Sequence, residues 1–299
     1  CSYTVLSHRA TLSVKGLEAI PFLQGLISNN IEKVTPFSTI WAAFLTPQGK
    51  FLHEFMIAMS EEHFLLDCEL NRREDLMTRL KRYRLRAKAD IELSNHCIAA
   101  AWGNEIASSL ELIEEPGKTV RRNSCIVFFD PRLVNMGVRI IGPIENVNEL
   151  LMSIGCKEEN LSEFDTHRTL LGLPDGSRDM EVEKALLLEN GFEELGGVDY
   201  DKGCYLGQEL TARTHYRALI KKRLLPVIID GPAPKPGTPL TADGKDAGEM
   251  KSSIGSYGLA LVRLSVLQNA KDVTLMGGQA RLTPKPAAWM HLPRPQSKN

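Results

Sequence analysis

The amino-acid sequence predicts an α+β protein that ends in a small all-β module. Apolar residues alternate with a period of two in several segments, which is typical of strands. Elsewhere they recur every three or four residues, which is typical of helices with one apolar face. Beyond residue 230 the apolar segments are short and separated by glycines, which favours an all-β module.

The first third of the chain predicts helices packed on an antiparallel sheet. A hairpin is the clearest signal, because two apolar strands flank residues 46–50, which have the chemistry of a tight turn. In chain order, the predicted elements are a strand at 12–14, a helix at 19–26, strands at 40–45, 51–59 and 64–67, and a helix at 72–84.

The middle of the chain predicts a second α+β unit, with strands at 97–102, 125–129 and 138–141 and helices at 147–154 and 208–215. The strongest boundary signal is the run 230–237, where three prolines and two glycines oppose both a helix and a central strand. The expected domains are 1–95, 96–225 and 226–283, followed by an extended tail at 284–299.

Composition and charge exclude several classes of protein. No stretch approaches the roughly 20 apolar residues of a membrane-spanning helix, and the first residues lack a secretory profile. We therefore expect no membrane partner and a cytoplasmic protein, or one of the mitochondrial matrix if the source is a eukaryote. The formal net charge of -1 gives no reason to expect a nucleic-acid partner. One local concentration of positive charge lies between Arg72 and Lys88.

The cysteines are scattered singly, without a C-x-x-C pair or a histidine at ligand spacing. This distribution predicts no self-contained zinc or cluster site. It also predicts reduced thiols rather than a disulfide framework. The six residues are Cys1, Cys68, Cys97, Cys125, Cys156 and Cys204.

The run from Lys202 to Glu209 places a cysteine where its thiol is chemically useful. Cys204 stands between two glycines, just before a predicted helix that begins at Gln208. The positive end of that helix and Lys202 both favour the thiolate, which is the nucleophilic and metal-binding form of cysteine. The spacing alone equally allows a small buried side chain in a tight turn.

The same run resembles the K-G-C-Y-x-G-Q-E signature of the YgfZ family, which belongs to the glycine-cleavage T-protein-like folate proteins. Other segments match that family in order and spacing, so the resemblance extends from residue 12 to residue 264. These segments are 22–25, 28–29, 46–52, 83–88, 168–174, 176–179, 254–256 and 258–261.

The resemblance implies a ring of three domains around a central tetrahydrofolate pocket. It also implies a role in assembling or repairing iron-sulfur proteins, chiefly those with four-iron clusters, together with assembly factors and client enzymes. The family's cysteine corresponds to Cys204, for which ligation of a transient cluster and thiol redox chemistry with folate both remain open. With Lys202 it forms the expected catalytic pair, without a resident metal. The expected folate-binding residues are Tyr205, Gly207, Gln208, Glu209, Arg213 and Arg178.

Two departures from the T-proteins bear on function. T-proteins carry a carboxylate pair after the turn of the first hairpin, where this chain has His53 and Glu54. They also carry a glutamate after the arginine that corresponds to Arg168, where this chain has Thr169. Folate-dependent aminomethyl transfer is therefore an alternative function only. A third hypothesis is a non-catalytic docking module that binds an acidic partner through the basic helix.

Overall fold

The fold is seen in a computed structural model that describes residues 1–61, 63–217, 220–268 and 273–292. Its strands are β1 (Ser2–Val5), β2 (Arg9–Lys15), β3 (Ile40–Leu45), β4 (Phe51–Ser60), β5 (His63–Glu69), β6 (Asp90–Ser94), β7 (Cys97–Trp102), β8 (Thr119–Arg122), β9 (Cys125–Phe129), β10 (Val138–Gly142), β11 (Lys157–Glu158), β12 (Lys222–Asp230), β13 (Pro239–Ala242), β14 (Lys245–Ile254), β15 (Tyr257–Arg263), β16 (Leu275–Gly277) and β17 (Ala280–Pro284).

Helices connect or cover these strands. They are α1 (Ala19–Gln24), α2 (Arg73–Arg84), α3 (Ile106–Leu110), α4 (Ile144–Ser153), α5 (Leu161–Leu170), α6 (Gly176–Asp179), α7 (Gln208–Tyr216) and α8 (Leu264–Gln268). Short 3-10 turns lie at Ile31–Lys33, Leu70–Arg72, Val134–Met136 and Leu188–Asn190. None of the helices in the described ranges has the length and apolar character needed to span a bilayer.

The strands form two open sheets and one barrel. The first sheet is antiparallel, in the order β3-β4-β5-β2-β6. The second has the order β11-β1-β7-β10-β9-β8 and is antiparallel except for the parallel pair β1 and β11. The barrel closes in the order β12-β15-β14-β13-β16-β17. The predicted α+β class and the all-β C-terminal module are thereby confirmed.

The two open sheets share one core, because successive strand residues face opposite sides. In β3, Ala42 and Phe44 pack toward α1 and α2, whereas Ala43 and Leu45 pack toward the second sheet. A third core lies between the second sheet and helices α3 and α4, and a fourth fills the barrel. The result is a helix-sheet-sheet-helix layering with the barrel attached.

The predicted domain limits need correction at three places. Residues 2–5 pair with β7 in the second sheet rather than joining the first sheet. The limit at 226 falls inside β12, which already pairs with β15 from Lys222 onward. The proline-rich run 230–237 joins β12 to β13 within the barrel, so it is a loop of the barrel and not a boundary.

The expected tail is partly packed. The backbone N–H of Lys285 donates to the oxygen of Pro226 at 2.8 Å. The indole N–H of Trp289 donates to the oxygen of Leu171, also at 2.8 Å. Residues 293–299 of the expected tail lie outside the described residues.

The prediction of six reduced cysteines is wrong for one pair. Cys1 and Cys156 form a disulfide, with their Cα atoms 4.8 Å apart. The register explains it, because Ser2 of β1 lies opposite Lys157 of β11 and the two strands are parallel. The residues just before these two positions are therefore neighbours in space.

Candidate functional site

The loop that carries the cysteine motif is fastened to the segment between α1 and β3. The N–H of Asp199 donates to the oxygen of Ser28 at 3.0 Å. The hydroxyl of Ser28 donates to the oxygen of Gly197 at 2.6 Å. The stretch 28–29, which the sequence analysis identified separately from 202–209, therefore contacts the residues that lead into the cysteine motif.

Lys202 is the main fastening group of this loop. Its Nζ donates to the backbone oxygens of Gln24 at 2.7 Å, Ile27 at 2.6 Å and Asn29 at 2.9 Å. Because an ammonium has three N–H donors, all of them are used and none is left for the thiol. Burial lowers the pKa of Lys202 to about 8. The geometry gives Lys202 a positioning role, and its predicted activation of Cys204 stays a prediction.

Tyr205 and Gln208 shape the same loop. The N–H of Tyr205 donates to Oε1 of Gln208 at 3.1 Å, and the N–H of Gln208 donates back to the oxygen of Tyr205 at 3.2 Å. The Lys202 ammonium lies 4.9 Å from the centre of the half-buried Tyr205 ring. Burial raises the pKa of Tyr205 to about 12. These contacts are internal to the protein and fix the entry into α7.

Gly207 is where the loop meets the turn of the first hairpin. Its φ is +79°, and an added Cβ would lie 2.4 Å from the oxygen of Thr46. Gly49 of that turn also has φ +79°, and its added Cβ would lie 2.6 Å from the oxygen of Gly207. Only glycine allows two backbones to come this close. A Cβ on Gly203, in contrast, would meet open space.

Cys204 is the accessible thiol of the protein. Of the four free cysteines in the described part of the chain, Cys68 and Cys125 are buried, Cys97 is half-buried and Cys204 is exposed. Burial raises the pKa of Cys68 to about 12 and that of Cys125 to about 11, so both stay protonated. No group of three metal-ligating side chains occurs among residues that the structure describes.

A buried cluster of charges joins the two open sheets, and the sequence analysis did not predict it. Nε of Arg9 donates to Asp67 at 2.6 Å, and Nη1 of Arg139 donates to the other oxygen of Asp67 at 2.5 Å. Burial raises the pKa of Asp67, but the two arginines outweigh that effect and hold it below the ordinary value. The available signal was a charged residue inside the apolar strand β5.

Of His53 and Glu54, which occupy the place of the T-protein carboxylates, Glu54 belongs to this cluster, whereas His53 contacts α2 on the other side of β4. Glu54 accepts from Arg9 at 2.5 Å and from the indole of Trp41 at 2.6 Å. Nε2 of His53 lies 2.9 Å from Asp75. Burial, helped by the cation of Arg72, lowers the pKa of His53 to about 3. Both side chains are engaged within the protein, which counts against aminomethyl transfer at this place.

The residues predicted to bind folate lie in different surroundings. Arg178 bonds to Asp165 at 3.0 Å and to Asp175 at 3.3 Å, beside a cavity of about 250 Å³ that no residue of 199–207 lines. Glu209 and Arg213 lie exposed on α7. Folate binding by these residues stays a prediction.

Two aromatic side chains, Trp41 and Phe192, pack against Gly197 ahead of the cysteine loop. The rings of Trp41 and Phe192 stack with their centres 3.8 Å apart. A Cβ on Gly197 would lie 2.6 Å from one ring and 2.7 Å from the other. A groove of about 500 Å³ does lie beside the hairpin turn, and its lining includes Lys50, Arg79, Arg82 and Tyr83.

The segment 168–179 has a structural role. Arg168 donates to Asp165 at 2.7 Å and to Asp179 at 2.8 Å. Asp179 is buried and also accepts from Ser252 of β14. Asp179 is thus the point where α5, α6 and the barrel meet.

Several known proteins are similar to this chain. A sequence profile of the family described as CAF17, C-terminal beta-barrel domain, matches residues 221–292, which include strands β12 to β17. The mitochondrial iron-sulfur cluster assembly factor IBA57 of Homo sapiens is 34% identical over 86% of this chain and 76% of the human protein. The mitochondrial IBA57 homolog of Coccidioides immitis (strain RS) is 30% identical, over 93% and 74%.

Among solved structures, the chain is similar to the glycine cleavage system aminomethyltransferase T from Bartonella henselae. The TM-score is 0.75 at 13% identity, over 99% of this chain and 88% of that protein. At this identity the likeness shows the fold alone. It confirms the predicted T-protein-like fold.

Proposed function

The chain belongs to the IBA57 family of iron-sulfur cluster assembly factors, and from that premise we propose that it assists the assembly of iron-sulfur proteins through Cys204. Its relatives in Homo sapiens and Coccidioides immitis are mitochondrial proteins, which agrees with the expected mitochondrial matrix for a eukaryotic source. Its partners on this proposal are components of the iron-sulfur assembly machinery and client enzymes.

The observation that carries the proposal is the contrast between an exposed thiol and its fixed support. Cys204 is exposed, while its neighbours Lys202, Tyr205 and Gly207 are held by the contacts described above. A thiol binds iron as thiolate, so Cys204 loses its proton when it becomes a ligand. Because iron-sulfur clusters usually take four cysteine ligands, the remaining ligands come from a partner.

We further propose that the clusters are of the four-iron kind and that the chain acts as the YgfZ-type proteins do in assembly or repair. This finer assignment rests on the resemblance of residues 202–209 to the family signature. Redox chemistry of the Cys204 thiol is the competing mechanism for the same residue.

Complementation of a strain that lacks its own relative of this chain tests the role of Cys204. We expect the unmodified chain to restore the activity of four-iron enzymes and Cys204→Ser to fail, while Cys97→Ser restores it. Cys97 is the matched control because it is also free and is only half-buried. Full rescue by Cys204→Ser would remove the proposed role of this thiol.

Tetrahydrofolate binding is a separate proposal, and no step of cluster assembly is derived from it. The groove beside the hairpin turn supports it, since Lys50, Arg79 and Arg82 offer cations to folate carboxylates. Isothermal titration calorimetry with tetrahydrofolate is expected to show binding to the unmodified chain and to Cys204→Ala, and weaker binding to Arg82→Glu. Absence of heat with all three proteins would reject folate binding and leave the role of the cysteine untouched.

A further inference from the structure

The turn after α2 holds a leucine in a backbone conformation that suits glycine. The N–H of Ala87 donates to the oxygen of Arg84 at 2.8 Å, which closes a four-residue turn. Leu85, its first central residue, has φ 47° and ψ -107°, close to a type II′ turn. Its side chain is 85% exposed, so it contributes almost nothing to the core. A strained residue that the fold does not use points to a contact outside the chain.

The loop before α1 extends this apolar area. Leu17 is 88% exposed, and Ile20 is 46% exposed. The loop is bonded to the segment after the Leu85 turn, since the N–H of Glu18 donates to the oxygen of Lys88 at 3.1 Å. The N–H of Lys88 donates back to Oε2 of Glu18 at 2.6 Å. We call Leu17, Ile20, Leu85, Arg86 and Lys88 the Leu85 surface.

The charge of the Leu85 surface is positive. Arg86 and Lys88 are exposed, and neither side chain has an ion-pair partner among the residues described. The nearby carboxylates are already engaged. Glu18 accepts from the backbone of Lys88, Asp90 pairs with Arg84 at 3.4 Å, and Glu92 pairs with Lys15 at 2.8 Å. The surface therefore complements a partner that presents carboxylates around an apolar pocket.

The Leu85 surface is connected to the cysteine loop through α1. This helix has six residues, so it is ~9 Å long. The surface lies at its start, and Gly25, directly after its end, accepts from the N–H of Leu206 at 3.0 Å. The Leu85 surface and the cysteine loop thus contact opposite ends of the same short helix.

We propose that the Leu85 surface is the docking site for an acidic protein that exchanges a cluster with Cys204. Leu85 inserts into an apolar pocket of that partner, and Arg86 and Lys88 pair with carboxylates at the rim of the pocket. Cluster exchange by the docked protein rests on the proposed function. Binding of an acidic protein to the Leu85 surface does not.

Fluorescence anisotropy tests the surface with a defined probe, a labelled helical peptide with leucines on one face and glutamates beside them. We expect the unmodified chain to bind it, with affinity falling as salt is added. Leu85→Gly and Arg86→Glu should each weaken binding by about fivefold or more. Because glycine suits the turn better than leucine, Leu85→Gly should melt no lower than the unmodified chain, which separates lost docking from unfolding.

Matched controls lie elsewhere on the protein. Ile113→Ser removes another exposed apolar residue, and Arg281→Glu reverses another exposed charge, so both should bind as the unmodified chain does. Cys204→Ser should also bind the peptide, which separates this test from that of the proposed function. The proposal is overturned if the unmodified chain does not bind, if a glutamine version of the peptide binds equally well, or if Leu85→Gly and Arg86→Glu bind unchanged.

Discussion

The loop around Cys204 and the buried charges between the two open sheets differ in whether they leave a side-chain group exposed to solvent. In the buried cluster, Glu54 and Asp67 both accept hydrogen bonds from Arg9, and Glu54 occupies one of the two T-protein carboxylate positions. In the loop, the polar groups of Lys202 and Gln208 are also used, but they hold a thiol that faces solvent.

The same fold can therefore present different side chains in its interior and on its surface. The chain shares its fold with an aminomethyltransferase, yet the interior where that class carries its carboxylates is occupied here by structural ion pairs. The exposed thiol, Cys204, lies on the surface instead. At 13% identity the likeness shows the fold alone, because activity depends on the residues of the site.

If the buried charges are structural, removing one of them should have the largest effect on stability. Asp67→Ala leaves Arg9 and Arg139 without their shared carboxylate in a buried place. The free energy of unfolding should fall by about 3–5 kcal/mol, measured by urea denaturation. Asp246→Ala, which removes an exposed pair with Arg263, is the control and should leave the midpoint nearly unchanged. A small loss for Asp67→Ala would contradict the structural role of the cluster.

The loop is expected to depend on one of its two glycines. Gly207→Ala forces a Cβ toward the oxygen of Thr46 at a positive φ and should cost about 2–3 kcal/mol of unfolding free energy. Gly203→Ala has open space around it and should change stability by less than about 0.5 kcal/mol. Equal losses of unfolding free energy for the two variants, measured by chemical denaturation, would show that the loop does not pack against the hairpin turn as described.

A smaller effect is expected from pH in the buried region. The pKa of His53 is about 3 in the folded protein, against an ordinary value of 6.5. As pH falls below 6.5, His53 becomes protonated in the unfolded chain but stays neutral in the folded protein. The free energy of unfolding therefore decreases. Relative to His53→Gln, the loss between pH 6.5 and pH 5 should be about 1.5 kcal/mol. Identical pH dependence of the two proteins would place a protonated His53 in the fold.

Local signals in the sequence predicted much of the fold. The turn at 46–50 between two apolar strands predicted the hairpin of β3 and β4, and the stretch from Gln208 predicted α7. These elements depend on residues close together in the chain. The proline-rich run 230–237 misled the assignment of a boundary, because prolines and glycines are equally suited to a loop within a barrel.

Contacts between distant residues could not be predicted in the same way. The cysteine motif identified Cys204, but the partners of Lys202 are backbone oxygens up to 178 residues away, and backbone acceptors have no sequence signature. Similarly, Cys1 and Cys156 are 155 residues apart and meet only because β1 and β11 pair. The pairing of Arg9, Asp67 and Arg139 depends on the packing of two sheets, which no local pattern encodes.

Transfer of a cluster through Cys204 is measured most directly with purified components under anaerobic conditions. A donor protein loaded with a four-iron cluster is mixed with an apo client enzyme and with either the unmodified chain or Cys204→Ser, and client activity is followed over time. We expect the unmodified chain to accelerate activation and Cys204→Ser, with an unchanged unfolding midpoint, to leave the rate at that of donor and client alone. Equal acceleration by both proteins would contradict the assignment of Cys204 as the group that receives the cluster.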